Sequence, residues 1–346
     1  MKRVLTGLLS SLISLALALM VIVTPVYAER GAEKYPKIFN IPNVLTDFQY
    51  FIEGNFNGSG HVVGAVAIGG VFDKSNTIAD GQITTSYIYN VKQANIGTAN
   101  YVDGDKTVFY GINSSGSALS DEFVKNEDYI NMDDAFAALR ANSTSLAASA
   151  TKIHDSSSIG SVPSIYGASV LTIDVTDGDV LIPWNVYSQI DAINLVGYGD
   201  ADYFKRNAIN ISVTGVPADR TVNLSFSYGS SGKGGTAYVF WNGQSSDQFI
   251  KGMTGGTNAD ELNLEGLKLV WNFPDAKTLN VSSLSGHLVA PNADISIYES
   301  GRFEGGMIAK NMLDDNNAEA HFYTYNNPED PEDPTDPTDP TDPEDP

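Results

Sequence analysis

The feature that most constrains this chain is a succession of short apolar runs, each stopped within a few residues by glycine, asparagine or aspartate. Runs of that length, rich in Val, Ile and aromatics, read as β-strands. His61 to Gly70 is such a run, bounded by glycines, and Leu171 to Val175, Ala208 to Val213, Val222 to Phe226, Tyr238 to Trp241 and Leu267 to Trp271 are others. Between His287 and Lys310 lie Leu288-Val289-Ala290, an alternating Ile295-Ser296-Ile297 and Met307-Ile308-Ala309. Glycines 64, 81, 97 and 111 recur about every sixteen residues, and Gly286 and Gly305 are nineteen apart. Glycine accepts positive φ at a tight corner without steric cost. A strand-corner-strand unit of this size is one coil of a β-solenoid, which buries its apolar side only by stacking on its neighbours. The expected fold class is therefore mainly β, an irregular right-handed β-solenoid-like domain with one inserted α-helix. Coil lengths vary and no fixed motif repeats, so a β-sandwich of the same strand content is the alternative.

The inserted helix is expected between Tyr129 and Thr151, where Phe136, Leu139, Leu146 and Ala150 recur at helical spacing. Asn131 can cap its start, and Asp134 suits its positive end. Tyr228 to Gly235 reads as a hairpin connection between Val222–Phe226 and Tyr238–Trp241, or as a loop lining a ligand surface. The Gly-bounded blocks at 54–70 and 286–310 each need to bury one face, and packing side by side achieves that.

Three segments emerge. Residues 1–28 have the form of a signal peptide: Lys2 and Arg3, an apolar stretch from Leu8 to Val23, then Val26-Tyr27-Ala28 before Glu29. Pro25 and the small-residue exit favour cleavage over a retained membrane helix. Residues 29–327 form a single β-rich body. Residues 328–346 place a proline at every third position, with nine acids and no base. In polyproline II geometry such a segment is an extended stalk of roughly 60 Å; a disordered tail is the alternative. No sorting motif, apolar segment or basic tip follows it, so the anchor is expected to be absent, truncated or supplied elsewhere.

The chain has no cysteine, which excludes disulfides, thiolate metal sites and a cysteine nucleophile. For an exported chain this fits a Gram-positive exterior and cell wall. A formal charge of −22 disfavours nucleic acid and, after cleavage, membrane insertion. His61, His154, His287 and His321 are scattered, with no pair at metal-ligand spacing, and there is no Gly-x-Ser-x-Gly elbow, phosphate loop or dinucleotide fingerprint. Asp174, Asp177 and Asp179 around Gly178, and Asp103 with Asp105 around Gly104, could gather carboxylates for calcium, but Asp-Gly pairs are first of all turn formers. No catalytic residue, no metal ligand and no cofactor is assigned. Seventeen tyrosines and the tryptophans Trp184, Trp241 and Trp271 offer aromatic faces to a sugar or protein; for Trp271, beside Leu269 and Val270, a core position is the competing reading.

One set of blocks carries a resemblance. Gly54-Asn55-Phe56-Asn57-Gly58-Ser59-Gly60 followed by His61 to Gly70, then Trp271-Asn272-Phe273-Pro274-Asp275-Ala276, Ala290-Pro291-Asn292-Ala293-Asp294, Glu304 to Lys310 and His321-Phe322-Tyr323 occur in this order. Together they resemble the choice-of-anchor A bacterial surface proteins over residues 40 to 325. More distantly, the arrangement resembles the discontinuous solenoid with an inserted helix of ice-binding adhesin domains. The resemblance implies a secreted, cell-surface adhesive role, and it brings no catalytic residue with it. The expected function is non-enzymatic binding of an extracellular matrix protein or glycan at a site the sequence leaves unknown. A structural surface-layer component and a β-helical polysaccharide enzyme are the alternatives. Ice binding would need ranked Thr-x-Thr, which Thr84-Thr85 and Thr214 do not make.

Overall fold

The computed structural model describes residues 34–74, 78, 85–92, 107–165, 167–197, 209–226, 236–241, 243–245, 269–298, 302–322 and 325. The expected signal peptide, the stalk, the 228–235 loop, Gly81, Gly97, Asp103 and Asp105 lie outside these residues.

The chain from Tyr35 onward is one compact unit. It opens with α1 (Ile41–Asp47), β1 (Tyr50–Ile52), β2 (Phe56–Gly58), β3 (Val66–Lys74), β4 (Thr85–Val91), β5 (Thr107–Asn113) and β6 (Phe123–Lys125), followed by α2 (Met132–Ala148). Then come β7 (Lys152–Ile153), β8 (Ile159–Gly160), β9 (Val170–Asp174), β10 (Val180–Pro183), α3 (Trp184–Tyr187), β11 (Ala192–Val196), β12 (Ile209–Thr214), β13 (Thr221–Ser225) and β14 (Thr236–Trp241). The remainder is β15 (Gln244–Ser245), β16 (Leu269–Asn272), β17 (Thr278–Ser282), β18 (Leu284–Ser285), β19 (His287–Ile297), β20 (Arg302–Glu304), β21 (Met307–Asp314) and β22 (Glu319–His321). The domain is mainly β.

Among the described residues the strand pairings are parallel except for β8–β9 and β14–β15. The first ladder runs β6-β5-β4-β3-β1-β21-β19-β16-β12-β10-β7. A second runs β3-β2-β21-β19-β17-β13-β14-β11-β9. A third joins β18, β20 and β22, with Val62 bridged to Ala320. β3, β19 and β21 belong to both long ladders because each bends across a corner. Register shifts mark the bends, between Ile68 and Val71 at Gly69-Gly70 and between Ala290 and Asp294. As a result β1 and β2 each pair with β3 on one side and β21 on the other, and these four strands close a ring of parallel pairings.

Strand order is discontinuous. From β1 the chain steps outward through β3, β4 and β5 to β6. After α2 it restarts at β7, the opposite edge of the first ladder, and works back to β21, beside β1. The expected adjacency of the N- and C-terminal blocks is present: Tyr50, Phe51 and Ile52 are in register with Met307, Ile308 and Ala309, and Gly54 N–H donates to Lys310 O at 2.8 Å.

Strand alternation splits the apolar residues into two cores. Tyr50, Ile52, Val66, Ile68, Trp271 and Leu288 point to the inner core, whereas Phe51, Ala67, Val270, Val289 and Ile308 face a second core under α1 and α2. Both sides of the first ladder are thus buried, as parallel sheets require. The α2 helix starts where the sequence indicates: the Asn131 side chain accepts from Asp134 N–H, and Phe136 and Leu139 are fully buried. Its polar key is Ser143, whose Oγ donates to Asn272 Oδ1 at 2.5 Å while Asn272 Nδ2 donates to Ser143 O and Ser212 Oγ, each at 2.9 Å. Arg140 pins the same helix to Glu53 and to Asn292 Oδ1, the latter at 3.0 Å.

Several expectations are corrected. Among the described residues there are three α-helices rather than one; α1 is short, but Asn40 capping Asn43 N–H with Pro42 in the first turn is a legible start signal. Ile68 pairs with Ile88 and Ile88 with Tyr110, so the step from strand to paired strand there is twenty to twenty-two residues, not sixteen. Of the described corner glycines named above, only Gly286 and Gly305 have positive φ, and they stack at one corner. The strand within His61–Gly70 begins only at Val66. Val222–Phe226 and Tyr238–Trp241 do not form a hairpin, because β13 and β14 are parallel neighbours, with Asn223 beside Thr236.

Gly60 sits where a Cβ would collide with the Ala318 carbonyl across the seam between first and last coils. Gly60→Ala is expected to destabilise by about 1–3 kcal/mol, the usual cost of overpacking against backbone. Gly160→Ala, with open space at the Cβ, serves as the neutral control. Denaturant midpoints followed by circular dichroism check the pair; equal midpoints contradict the expectation.

Candidate functional site

The outer side of the first ladder is occupied by helices, but the second ladder carries a polar surface. It starts from two pentapeptides, Thr221-Val222-Asn223-Leu224-Ser225 and Thr278-Leu279-Asn280-Val281-Ser282, paired residue for residue. Val222, Leu224, Leu279 and Val281 point into the inner core, so Thr, Asn and Ser of both strands line up on the outside. The rows continue. Thr278 is beside Asp294 and Asp294 beside Asn311; Asn280 is beside Ser296, and Ser296 beside Asp314.

Side-chain bonds tie the rows along the ladder. Asn280 Nδ2 donates to Asn223 Oδ1 at 2.8 Å, and Asn311 Nδ2 donates to Asp294 Oδ1 at 2.7 Å. Asn311 Oδ1 accepts from Asn55 N–H, and Asn55 Oδ1 accepts from Val71 N–H. Thr221, Asn55, Asn57 and Asp314 are exposed; Thr278, Asn280, Asp294, Ser296 and Asn311 are half-buried; Asn223, Ser225 and Ser282 are buried. Neighbouring rungs of such a sheet lie about 4.8 Å apart. The surface therefore offers amides, hydroxyls and carboxylates at fixed spacing on a rigid sheet, suited to hydrogen-bonding an extended polymer. Thr221 and Thr278 form a Thr rank that was not anticipated, but Asp294 and Asn311 follow it. The signal was present as the recurrence of Thr-x-Asn-x-Ser fifty-seven residues apart.

The third ladder aligns Ser285, Glu304 and His321. His321 Nδ1 lies 2.9 Å from Glu304 Oε1, and Nε2 lies 3.2 Å from Glu319 Oε1. The hydrogen bond to Glu304 raises the His321 pKa above its ordinary value. The carboxylate, not the imidazole, neighbours Ser285, so the row does not form a nucleophile-base pair. His287 is fully buried: its Nδ1 accepts from Gly306 N–H at 3.0 Å, and burial holds its pKa down at about 3. His154 is also buried, with its pKa lowered by burial and by Lys152.

The three described aspartates considered for calcium turn to different partners. Asp174 accepts from Thr176, Asp177 pairs with Lys152 at 3.1 Å, and Asp179 accepts from Asn210. Among the described residues no group of three or more His, Asp or Glu could hold a metal. Trp271 is a core residue, its Nε1–H donating to Ser285 O at 3.2 Å. Trp184 is partly buried and stacks on Tyr187. The Trp241 side chain lies outside the described residues. No described helix is long and apolar enough to cross a membrane.

The raised pKa of His321 gives a pH signature. Because its folded pKa is raised, its contribution to stability is fully present below the unfolded value of 6.5 and is lost as pH rises through the folded value. His321→Gln is expected to lower stability more at about pH 5.5 than at about pH 8.5. Urea unfolding at both pH values checks this; a larger loss at the alkaline value contradicts it.

No curated protein sequence matches the chain. Residues 42–322 match the family described as "Putative Ice-binding-like adhesive domain". That span begins in α1, runs through both long ladders and ends just after β22, so the chain belongs to this adhesive-domain family.

Proposed function

We propose that this domain is an adhesin-type module that holds an extracellular protein or glycan, without altering it, on the polar outer side of the second ladder. The observation that carries the reading is the registered Thr-Asn-Ser rows on an adhesive-family domain. The parallel ladders and their corner-crossing strands are best accounted for as a right-handed β-solenoid. Within the family, the quoted sequence blocks favour the choice-of-anchor A group. We further assign residues 1–28 to export and 328–346 to an acidic stalk, which together present the body at a Gram-positive cell surface. Binding needs no metal in this reading.

The test is retention of the purified chain on a panel of matrix proteins and glycans, with and without chelator, while soluble products are followed. The doubly substituted Thr278→Ala, Asn280→Ala chain is expected to lose at least tenfold in affinity, about 1.4 kcal/mol, with its melting temperature little changed. Retention unaffected by that pair sinks the assigned surface. Release of soluble products would make the protein an enzyme. Self-association with no retention on any panel member would favour a structural surface-layer role.

A further inference from the structure

A second, separate site lies on the helical side of the domain. A groove of about 240 Å³ opens between α1, α2 and the edge of β12, lined by Ile41, Leu146, Asn142, Ser145, Asn210 and Tyr325, among others. Its volume falls below the roughly 300 Å³ at which pockets for drug-sized ligands begin, so it admits one small ring. Its lining carries no charged side chain.

Some of the polar groups in it are engaged, Ser149 Oγ donating to Leu146 O and Asn210 to Asp179, and others are open to a ligand. Asn142 and the Ser145 hydroxyl make no hydrogen bond to the described residues, and Asn210 Oδ1 accepts from none of them. The Asn210 amide is held from behind, where Nδ2 donates to Asp179 Oδ2 at 2.9 Å and the backbone N–H donates to Asp179 Oδ1 at 3.0 Å. Its carboxamide is therefore fixed in orientation. Tyr325 is fixed too: its N–H donates to Leu45 O, its carbonyl accepts from Thr46 Oγ1, and its ring packs on His287 with centroids 5.5 Å apart. The packed Tyr325 ring, apolar Ile41 and Leu146, the Asn142 amide, the Ser145 hydroxyl and Asn210 Oδ1 make up a donor-acceptor set for a molecule with one apolar face and a rim of hydroxyls.

We propose that this groove binds a single neutral pyranose unit, with Tyr325 as the apolar platform and Asn142, Ser145 and Asn210 as hydroxyl partners. The Asp179 carboxylate behind Asn210 sets the preference for neutral over acidic sugars. The site is distinct from the polar rows of the second ladder, and its occupant is a monosaccharide or one ring of a longer chain.

The experiment is ligand-observed saturation-transfer NMR on the full chain, titrated with methyl β-glucoside, N-acetylglucosamine, methyl α-mannoside and glucuronate. The expected result is saturable binding of at least one neutral sugar, with a dissociation constant on the order of 1 mM, and weaker binding of glucuronate. Ser149, the exposed residue that caps the end of α2 with its Oγ donating to Leu146 O, stands at the groove wall, so Ser149→Trp fills the groove from outside the core. It should reduce binding at least tenfold with unchanged circular dichroism and melting. Tyr325→Ala should do the same, but it also removes a packing contact, so Ser149→Trp decides. Absence of saturation by every neutral sugar at about 50 mM, binding unchanged in Ser149→Trp, or glucuronate bound as tightly as the neutral sugars overturns the proposal. The Thr278→Ala, Asn280→Ala chain should bind these sugars normally, so failure of the ladder surface and failure of the groove are told apart.

Discussion

The rest of the structure depends on the hydrogen-bonded seam that joins β1 and β2 to β21. β1 and β2 lie between β3 and β21, so two three-residue strands near the start of the domain join the strands that precede α2 to those that follow it. The seam is sealed at each corner. Gln49 N–H donates to Ala65 O while Gln49 O accepts from Met307 N–H, and the Gln49 side chain accepts from Gly64 N–H at 2.6 Å. At the next corner the buried Asp315 carboxylate accepts from Ser59 and Gly60 N–H. Gly54, Gly58 and Gly60 lie where any Cβ would strike Asn311, Asp315 or Ala318. Close approach, of the Ala318 carbonyl at Gly60 and of the Asn311 and Asp315 side chains at Gly54 and Gly58, favours glycine at these positions rather than turn geometry. Partners of this kind are more than 250 residues apart in sequence, so the chain pays a large loop-closure cost before the seam rewards it.

A parallel stack has two open edges, and the sequence deals with both. β6 has three residues and β7 two, and each carries an exposed lysine, Lys125 and Lys152. Short edge strands bearing lysine resist pairing with another chain. The exposed Val124 and Ile153 on those strands would otherwise favour it. The long sides are handled differently. One is covered by α1 and α2 over a second apolar core, with Ser143 and Asn272 matching hydroxyl to carboxamide where the cover crosses the sheet. The other is left polar.

Much of this was legible in the sequence, and what was missed has a common cause. The α2 helix could be found because its cap and its apolar spacing are local: Asn131, Asp134, Phe136 and Leu139 lie within nine residues. Strand positions were readable for the same reason. The coil step was not, because glycine spacing stands for the corner only where the corner itself needs positive φ, as at Gly286 and Gly305. Gly111 lies inside β5 instead. The hairpin between β13 and β14 was expected from proximity, but neighbouring strands can equally be successive coils, and only the register distinguishes the two. The polar rows were missed because a row is a property of stacking. Thr221 and Thr278 become neighbours only when coils fifty-seven residues apart are placed side by side, although the shared Thr-x-Asn-x-Ser pattern could have been found by comparing strands with one another.

In the proposed reading, the polar side of the second ladder is what the domain binds with. A surface that holds a polymer by many weak polar contacts must not lose conformational freedom each time a contact forms. In the second ladder that ordering has already happened on folding: Asn223 is bonded to Asn280, Asn311 to Asp294, and Asn55 to both Asn311 and Val71. These amides cannot collapse onto other backbone, and each lies one strand from the next because the sheet fixes the spacing. The apolar alternates of the same strands, Val222, Leu224, Leu279 and Val281, hold that sheet to the core, so Asn223 and Asn280 each have a buried neighbour on both sides. The same alternation that forces the chain to stack therefore fixes the geometry of the surface it presents.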